Sequence, residues 1–495
     1  MKKRSWISVL LMLLISSIVI YLTYISIDSQ YMWSDEIYSF NAGTMILEKG
    51  QPLYDSGLYY DRASLYHRLL ALSMKFFGVN EFGSRILNIP FLIGIAILVG
   101  IFVNELTKNL KTKSRLWISY LSGLFYYISN FSIAMGRETR MYAMSTFLFT
   151  LSVWLIYKTF INPFKRGLVR IKWLDLELNV FTLLLTIPVF YIAYQTQPIN
   201  ILLGLGVVLF FFINALTNKK KRKQFLVVLI FLILGLAYTF HYFDHLNIIE
   251  IFNTLSPDWA TSLNPLYYSV LTVRNLPFIF LILPLTIYYL IRKYDSVLIY
   301  LSSIMFTLWG FLSLQSAQHE RYWQNFIPLL VILSVYVVTV FLNETKKKNL
   351  KIFIYLLLSI FSIFHIYLSY KEYTEIDTYT RTSIGIHKKL EFNSLFDYFD
   401  NILNEDDILV ADFHSAYTLY GKGYNIDYLL LPDDDVNTRW GDYDLYFDIP
   451  IVKESELGGI LDGNSGYIVI RDYDRFNEIK EDIVEEFKRP EVYKF

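Results

Sequence analysis

The 495-residue sequence contains no cysteine. That removes a disulfide framework, a thiolate metal site and a cysteine nucleophile at once, while the redox compartment stays open. Charge is scarce too: Asp, Glu, Lys and Arg make up 18% of the residues, against 54% hydrophobic and 18% aromatic. A soluble protein of this size has too little interior to bury so much apolar surface. The composition therefore excludes the string of soluble domains that length alone suggests, and fits a lipid solvent. No repeat of fixed period stands out. No small-x-small cleavage site follows the apolar run behind Met1 to Arg4, and that run is longer than a usual signal-peptide core. It reads as a retained first membrane helix.

What is present is a series of apolar runs, most of them about 17–22 residues long, each able to cross a hydrocarbon core of roughly 30 Å at ~1.5 Å per helical residue. Eleven are expected, near 6–27, 86–103, 116–134, 142–157, 177–193, 199–216, 225–241, 276–291, 297–314, 326–342 and 352–369. Lys and Arg cluster in alternate connections: Lys2 to Arg4, Lys108 to Arg115, Lys158 to Lys172, Lys219 to Lys223, Arg292 with Lys293, and Lys346 to Lys351. By the positive-inside rule these connections, and the N-terminus, are cytoplasmic, so the protein is expected to be a multi-pass protein of the cell membrane. The clusters are sufficiently explained as topology signals, and nucleic acid is not expected as a partner. Segments 28–85, 135–141, 194–198, 242–275, 315–325 and the tail from Lys371 then share the exocytoplasmic side.

Net charge is zero, but the chain is split. From Lys371 onward there are 13 Lys and Arg against 28 Asp and Glu, a net of −15, so the preceding part carries +15. The expected organisation is an α-helical polytopic membrane domain over 1–370 and an acidic exocytoplasmic α/β domain over 371–495. In the tail, Asp407 to Ala411, Tyr428 to Leu431 and Tyr467 to Ile470 have strand character, and Ile479 to Phe487 has helical spacing.

Unusual polar chemistry collects in the exocytoplasmic segments. Asp35 and Glu36 are adjacent carboxylates just past the first apolar run. A carboxylate near low dielectric is a better base toward a hydroxyl, and a solvated loop edge is the plain alternative. The same segment holds Asp61, Arg62, His67 and Arg68, and interfacial helices are expected in it. Residues 136–142 read Gly-Arg-Glu-Thr-Arg-Met-Tyr. Helical spacing would put Arg137 with Arg140 on one face and Glu138 with Tyr142 on another. Paired arginines suit a phosphate; pairing with Glu138 or with the carboxylates of the first loop is the alternative. Residues 319–323 bring His319, Glu320 and Arg321 beside Tyr322 and Trp323, aromatics that could serve as interfacial anchors. Segment 242–275 holds Asp244, His245, Asp258 and Arg274 with no interpretable spacing. No metal-ligand motif is present, and a divalent metal stays open as a cofactor.

Taken together, Asp35-Glu36, the Gly-x-x-x-Phe-x-x-Arg from Gly78 to Arg85, the Arg-x-x-Arg-Met-Tyr of 137–142 and the Glu-Arg-Tyr of 320–322 resemble the polytopic glycosyltransferases of the GT-C class. The resemblance covers residues 1–370 and is nearest the protein O-mannosyltransferase and aminoarabinose-transferase branch. It implies transfer of a sugar from a polyprenyl-phosphate carrier (dolichyl or undecaprenyl) to an acceptor hydroxyl on a protein, lipid or glycan, with inversion and without a nucleotide cofactor. It also implies Asp35 as the base and Glu36 as its neighbour in orienting the acceptor or helping to bind a metal. Arg137, Arg140 and Arg321 become candidates for the leaving phosphate. Glu138, Tyr142, His319, Glu320, Tyr322, His67 and Arg68 form a second tier. The tail departs from the pattern, and within residues 1–370 neither a Trp-Trp-Asp motif nor paired Asp-x-Asp loops occur, unlike oligosaccharyltransferases. A transporter or flippase of lipid-linked glycans would need ionisable groups inside the spans, which are nearly free of them. A non-catalytic surface-polymer assembly protein is the third reading.

Overall fold

The computed structural model describes residues 2–25, 27, 32, 34–54, 56–60, 62–108, 112–171, 176–218, 222–242, 264–293, 295–315 and 320–374. Beyond these it describes 381–382, 385–386, 399, 407–411, 426–431, 443–444, 449–461, 466–470, 483–485 and 491–494. The expected His319, Asp61, Asp244, His245 and Asp258 lie outside the described residues, as does the side chain of Glu320.

The described part of the first 374 residues is a helical bundle. Its helices are α1 (Lys2–Ile25), α2 (Ser34–Lys49), α3 (Ser64–Phe77), α4 (Glu81–Arg85), α5 (Asn88–Leu106), α6 (Thr112–Tyr127), α7 (Asn130–Gly136) and α8 (Tyr142–Phe160). They continue with α9 (Val180–Thr196), α10 (Ile201–Thr217), α11 (Arg222–Tyr242), α12 (Tyr267–Asn275), α13 (Ile279–Lys293), α14 (Ser296–Ser313), α15 (Phe326–Glu344) and α16 (Lys348–Thr374). Each of the eleven expected runs is mostly helical, the one near 177–193 beginning in a strand that ends at Asn179, because an apolar stretch in lipid must satisfy its own backbone hydrogen bonds. Among the described residues six helices are long and apolar enough to cross a membrane, or seven if the α12–α13 pair, bent by 113°, is one span; α1 and α9 hold shorter apolar segments.

Two details depart from expectation. The run near 116–134 is broken: α6 ends at Tyr127, and Ser129 restarts the chain as α7 by accepting a hydrogen bond from the Ser132 N–H at 3.2 Å. A hydroxyl at an N-cap satisfies one of the donors a new helix leaves open. In the tail, Ile483–Glu485 is a strand, not part of a helix. It pairs antiparallel with Glu491–Lys494, and β-branched Ile483 and Val484 fit that ladder better than a helix.

Close helix packing uses small residues. Gly123 on α6 lies against the Ala96 carbonyl of α5, where a Cβ would collide with it. At one end of the bundle the charges pair off: Lys158 with Glu105 at 3.2 Å, Lys293 with Glu344, and Tyr336 Oη with Asp295 at 2.7 Å. The opposite end carries α2–α4, the turn 137–141 and the 3-10 turn Glu320–Trp323.

The described residues of the tail contain a seven-stranded sheet. Its central strands Gly466–Ile470, Ile408–Ala411, Tyr428–Leu431 and Ile449–Lys453 run parallel, and the outer strands are antiparallel. Val410, Leu430, Val452, Leu457 and Ile468 form its apolar core. The three strands read from the sequence are central ones, whose burial on both faces gives them continuous apolar runs.

Candidate active site

Asp35 and Glu36 are not in a loop. They occupy the first turn of α2, where negative charge is favoured by the helix dipole. Consecutive residues on a helix point about 100° apart, so the two carboxylates meet different partners.

Glu36 faces inward and is 2% exposed. The Arg85 guanidinium grips it with two bonds, Nε to Oε1 at 3.0 Å and Nη2 to Oε2 at 3.2 Å. The Thr139 N–H donates to Oε1 at 2.6 Å, and Arg85 Nη1 donates to the Ile27 carbonyl at 3.2 Å. Arg85 is fully buried. A forked pair of this kind, with its remaining donors and acceptors satisfied, joins the end of α1, α2, α4 and the turn after α7.

Arg85 is aimed by its local sequence. Gly78 closes α3 at φ +99°, a conformation that favours glycine. Asn80 then caps α4, its Oδ1 accepting from Gly83 N–H at 2.8 Å. Gly83 sits so close to the Gly78 carbonyl that no side chain fits there. Ser73 Oγ donates to the Gly83 carbonyl at 2.7 Å, and the Ser84 and Thr139 hydroxyls bond at 2.8 Å.

Asp35 points the other way, and its side chain is 28% exposed. Its Oδ2 accepts from Arg321 Nη1 at 2.8 Å and lies 3.5 Å from Arg140 Nη2. Arg140 is held from behind: its Nη1 donates to the Asp35 carbonyl at 2.8 Å, Ser39 Oγ at 3.0 Å and Tyr60 Oη at 3.3 Å. The Tyr142 ring faces both guanidinium groups, 5.7 Å from Arg140 and 6.0 Å from Arg321, and Tyr322 lies 5.6 Å from Arg321. Burial opposes the charge on each arginine, and the surrounding tyrosine and Asp35 oxygens more than offset it, so both guanidinium groups stay charged.

Arg321 is presented by a rigid turn. Trp323 is 1% exposed, stacks on Tyr268 at 4.9 Å and Phe326 at 3.9 Å, and donates to Thr272 Oγ1 at 2.7 Å. It is an internal anchor, not an interfacial one. Behind it, Thr146, Asn325, Asn200 and Ser145 form a buried chain of hydrogen bonds of 2.8–2.9 Å that ties α8, α15 and the turn before α10 together.

Of the remaining expected residues, Arg137 and Glu138 are buried on the turn after α7. This turn is not helical, because Gly136 ends α7 and α8 starts only at Tyr142, so the shared-face spacing does not apply. His67 is fully buried on α3, with Nδ1 bonded to the Ala63 carbonyl at 3.1 Å and its ring 4.6 Å from Tyr60. Burial, reinforced by the Arg140 charge, pushes its imidazole down to about 3. Arg68 and Arg274 are exposed. The residues not anticipated are Ser39, Tyr60 and Thr139. Arg85 stood in a quoted motif, and a charge abutting an apolar span was the signal that it needed a buried partner. Among the described residues no three His, Asp or Glu side chains converge as a metal site.

No family model matches the sequence. An uncharacterized protein from Aquifex aeolicus (strain VF5) is 24% identical over 281 residues, 55% of this chain, and the chain spans about half (52%) of that relative's length. Among solved structures, ArnT from Cupriavidus metallidurans bound to undecaprenyl phosphate is similar with a TM-score of 0.60 at 12% identity, covering 97% of each chain. The archaeal oligosaccharyltransferase AglB from Archaeoglobus fulgidus, with an inhibitory peptide and a dolichol-phosphate, is similar with a TM-score of 0.53 at 10% identity. That match covers 92% of this chain and 69% of that one. The polytopic helical bundle with a C-terminal sheet region, and its likeness to these structures along nearly the whole chain, give this protein the fold of the GT-C membrane glycosyltransferases.

Proposed function

We propose that this protein is a glycosyltransferase that moves a sugar from a polyprenyl phosphate carrier to an acceptor hydroxyl at the exocytoplasmic membrane face, with inversion. The observation that carries the reading is the convergence of one part-exposed carboxylate, Asp35, with two fixed guanidinium groups, Arg140 and Arg321, at one end of the bundle. In this reading Asp35 takes the acceptor's proton as its oxygen attacks the anomeric carbon. The carbon–oxygen bond to the phosphate breaks, and the arginines stabilise the anion that departs. Arg137 lies buried on the same turn as Arg140 and adds positive charge to that region. Glu36 acts through position: it holds the start of α2 and does not meet the acceptor. ArnT and AglB carry undecaprenyl phosphate and dolichol-phosphate in the structures named above, which supports a polyprenyl carrier here.

The membrane bundle would hold the catalytic site, and the acidic region from residue 371 would be a separate exocytoplasmic unit that recognises the acceptor. The deciding experiment incubates the purified protein with a panel of polyprenyl-phosphate sugars and follows carrier release. Asp35→Asn should still fold, with some loss of stability from the broken ion pairs, and lose transfer by roughly 10²–10⁴-fold, the usual contribution of a general base. Unchanged transfer by that variant would remove Asp35 from the chemistry.

A further inference from the structure

Resting on that reading, we infer that the carrier phosphate takes the place of the Asp35 carboxylate between Arg140 and Arg321, so that donor binding releases the base. In the structure Asp35 Oδ2 already fills the anion position of the arginine pair, 2.8 Å from Arg321 Nη1 and 3.5 Å from Arg140 Nη2. A carboxylate oxygen that accepts from a guanidinium has that lone pair engaged and is a weaker base. The same Nη groups are the donors a leaving phosphate needs. A carboxylate and a phosphate cannot share them at contact distance without strong repulsion.

The three partners differ in freedom. Both arginines are seated: Arg140 by the Asp35 carbonyl, Ser39, Tyr60 and the Tyr142 ring, Arg321 by the Tyr142 and Tyr322 rings. The Asp35 side chain is the most exposed of the three, at 28% against 20% for Arg321 and 8% for Arg140. Arg140 binds the Asp35 main chain separately from its carboxylate, so the side chain can rotate away without undoing α2. The phosphate then neutralises the arginines, and the freed carboxylate accepts the acceptor's proton. The acceptor oxygen forms its bond to the anomeric carbon, and the electron pair of the broken bond leaves on the phosphate. The order of events follows: donor first, acceptor second.

The test measures binding of undecaprenyl phosphate to the full chain in nanodiscs for wild type, Asp35→Asn, Arg321→Gln and the double variant, with Arg321→Met in place of Arg321→Gln if the latter fails to fold. If Asp35 competes for the arginines, Asp35→Asn binds on the order of ten-fold more tightly than wild type, the scale of a released charge pair. That gain disappears in the Arg321 background. Equal or weaker binding by Asp35→Asn overturns the inference. So does a gain of the same size in the Arg321 background, which is plain charge repulsion. Absence of binding by wild type and all variants overturns the polyprenyl-phosphate reading beneath it.

Discussion

His67 shows how residue type and neighbourhood decide a role. Its Nδ1 faces a carbonyl, which can only accept, so Nδ1 carries the proton and Nε2 is a buried acceptor without a hydrogen-bond partner among the described residues. Burial holds the imidazole pKa down at about 3, against an ordinary 6.5, so the ring is neutral at neutral pH. Below pH 6.5 the unfolded chain binds a proton that the folded chain refuses. Stability from this group therefore falls as pH falls from about 6.5 to about 3, by up to about 1.4 kcal/mol per pH unit, and is unaffected above 6.5. Melting temperatures of wild type and His67→Gln between pH 7 and pH 5 should diverge, with the wild type losing more. Parallel curves would show that His67 does not titrate with unfolding. Asp35 and Glu36 make the complementary point: adjacent and chemically alike, they are separated by helical rotation into a part-exposed carboxylate and a buried one.

At the scale of elements, legibility followed locality. Every expected apolar run is mostly helical, and the three central strands of the tail were readable, because burial in lipid or in a sheet core leaves continuous apolar stretches. Short helices were anticipated in residues 28–85, and α2, α3 and α4 lie there. What was illegible depends on distance. The Asp35–Arg321 contact joins residues 286 apart, and no local spacing encodes it. Tyr60 and Thr139 reach the site through a turn and a backbone N–H, and neither has a sequence signature. The break at Ile128-Ser129 was hidden by apolar residues on both sides. Ile483–Glu485 misled because Ile479, Ile483 and Phe487 are four apart, a spacing that suits one helical face and, being even, one strand face as well.

For the whole molecule the alternation of basic and acidic connections makes a geometric claim. The end of the bundle bearing Asp35 should face outward and the lysine-rich end the cytoplasm. The absence of cysteine makes this directly measurable, since any single substitution supplies the only thiol. Leu58→Cys, exposed beside α3, should react with an impermeant maleimide in intact cells. Lys347→Cys, exposed at the opposite end, should react only after the membrane is opened. Labelling of both from outside, or the reverse pattern, would invert the orientation.

The grip of Arg85 on Glu36 has one more consequence: it is a keyed connector, with a direction. Glu36 also answers the Thr139 N–H, and Arg85 also answers the Ile27 carbonyl. Exchanging the two residues keeps the ion pair on paper but sets a donor against Thr139 N–H and an acceptor against the Ile27 carbonyl. Each buried backbone group left unanswered costs about 1–3 kcal/mol. The Glu36→Arg/Arg85→Glu double variant should therefore melt well below wild type instead of recovering it. A full recovery would mean that only the attraction between the two charges matters and the backbone groups do not.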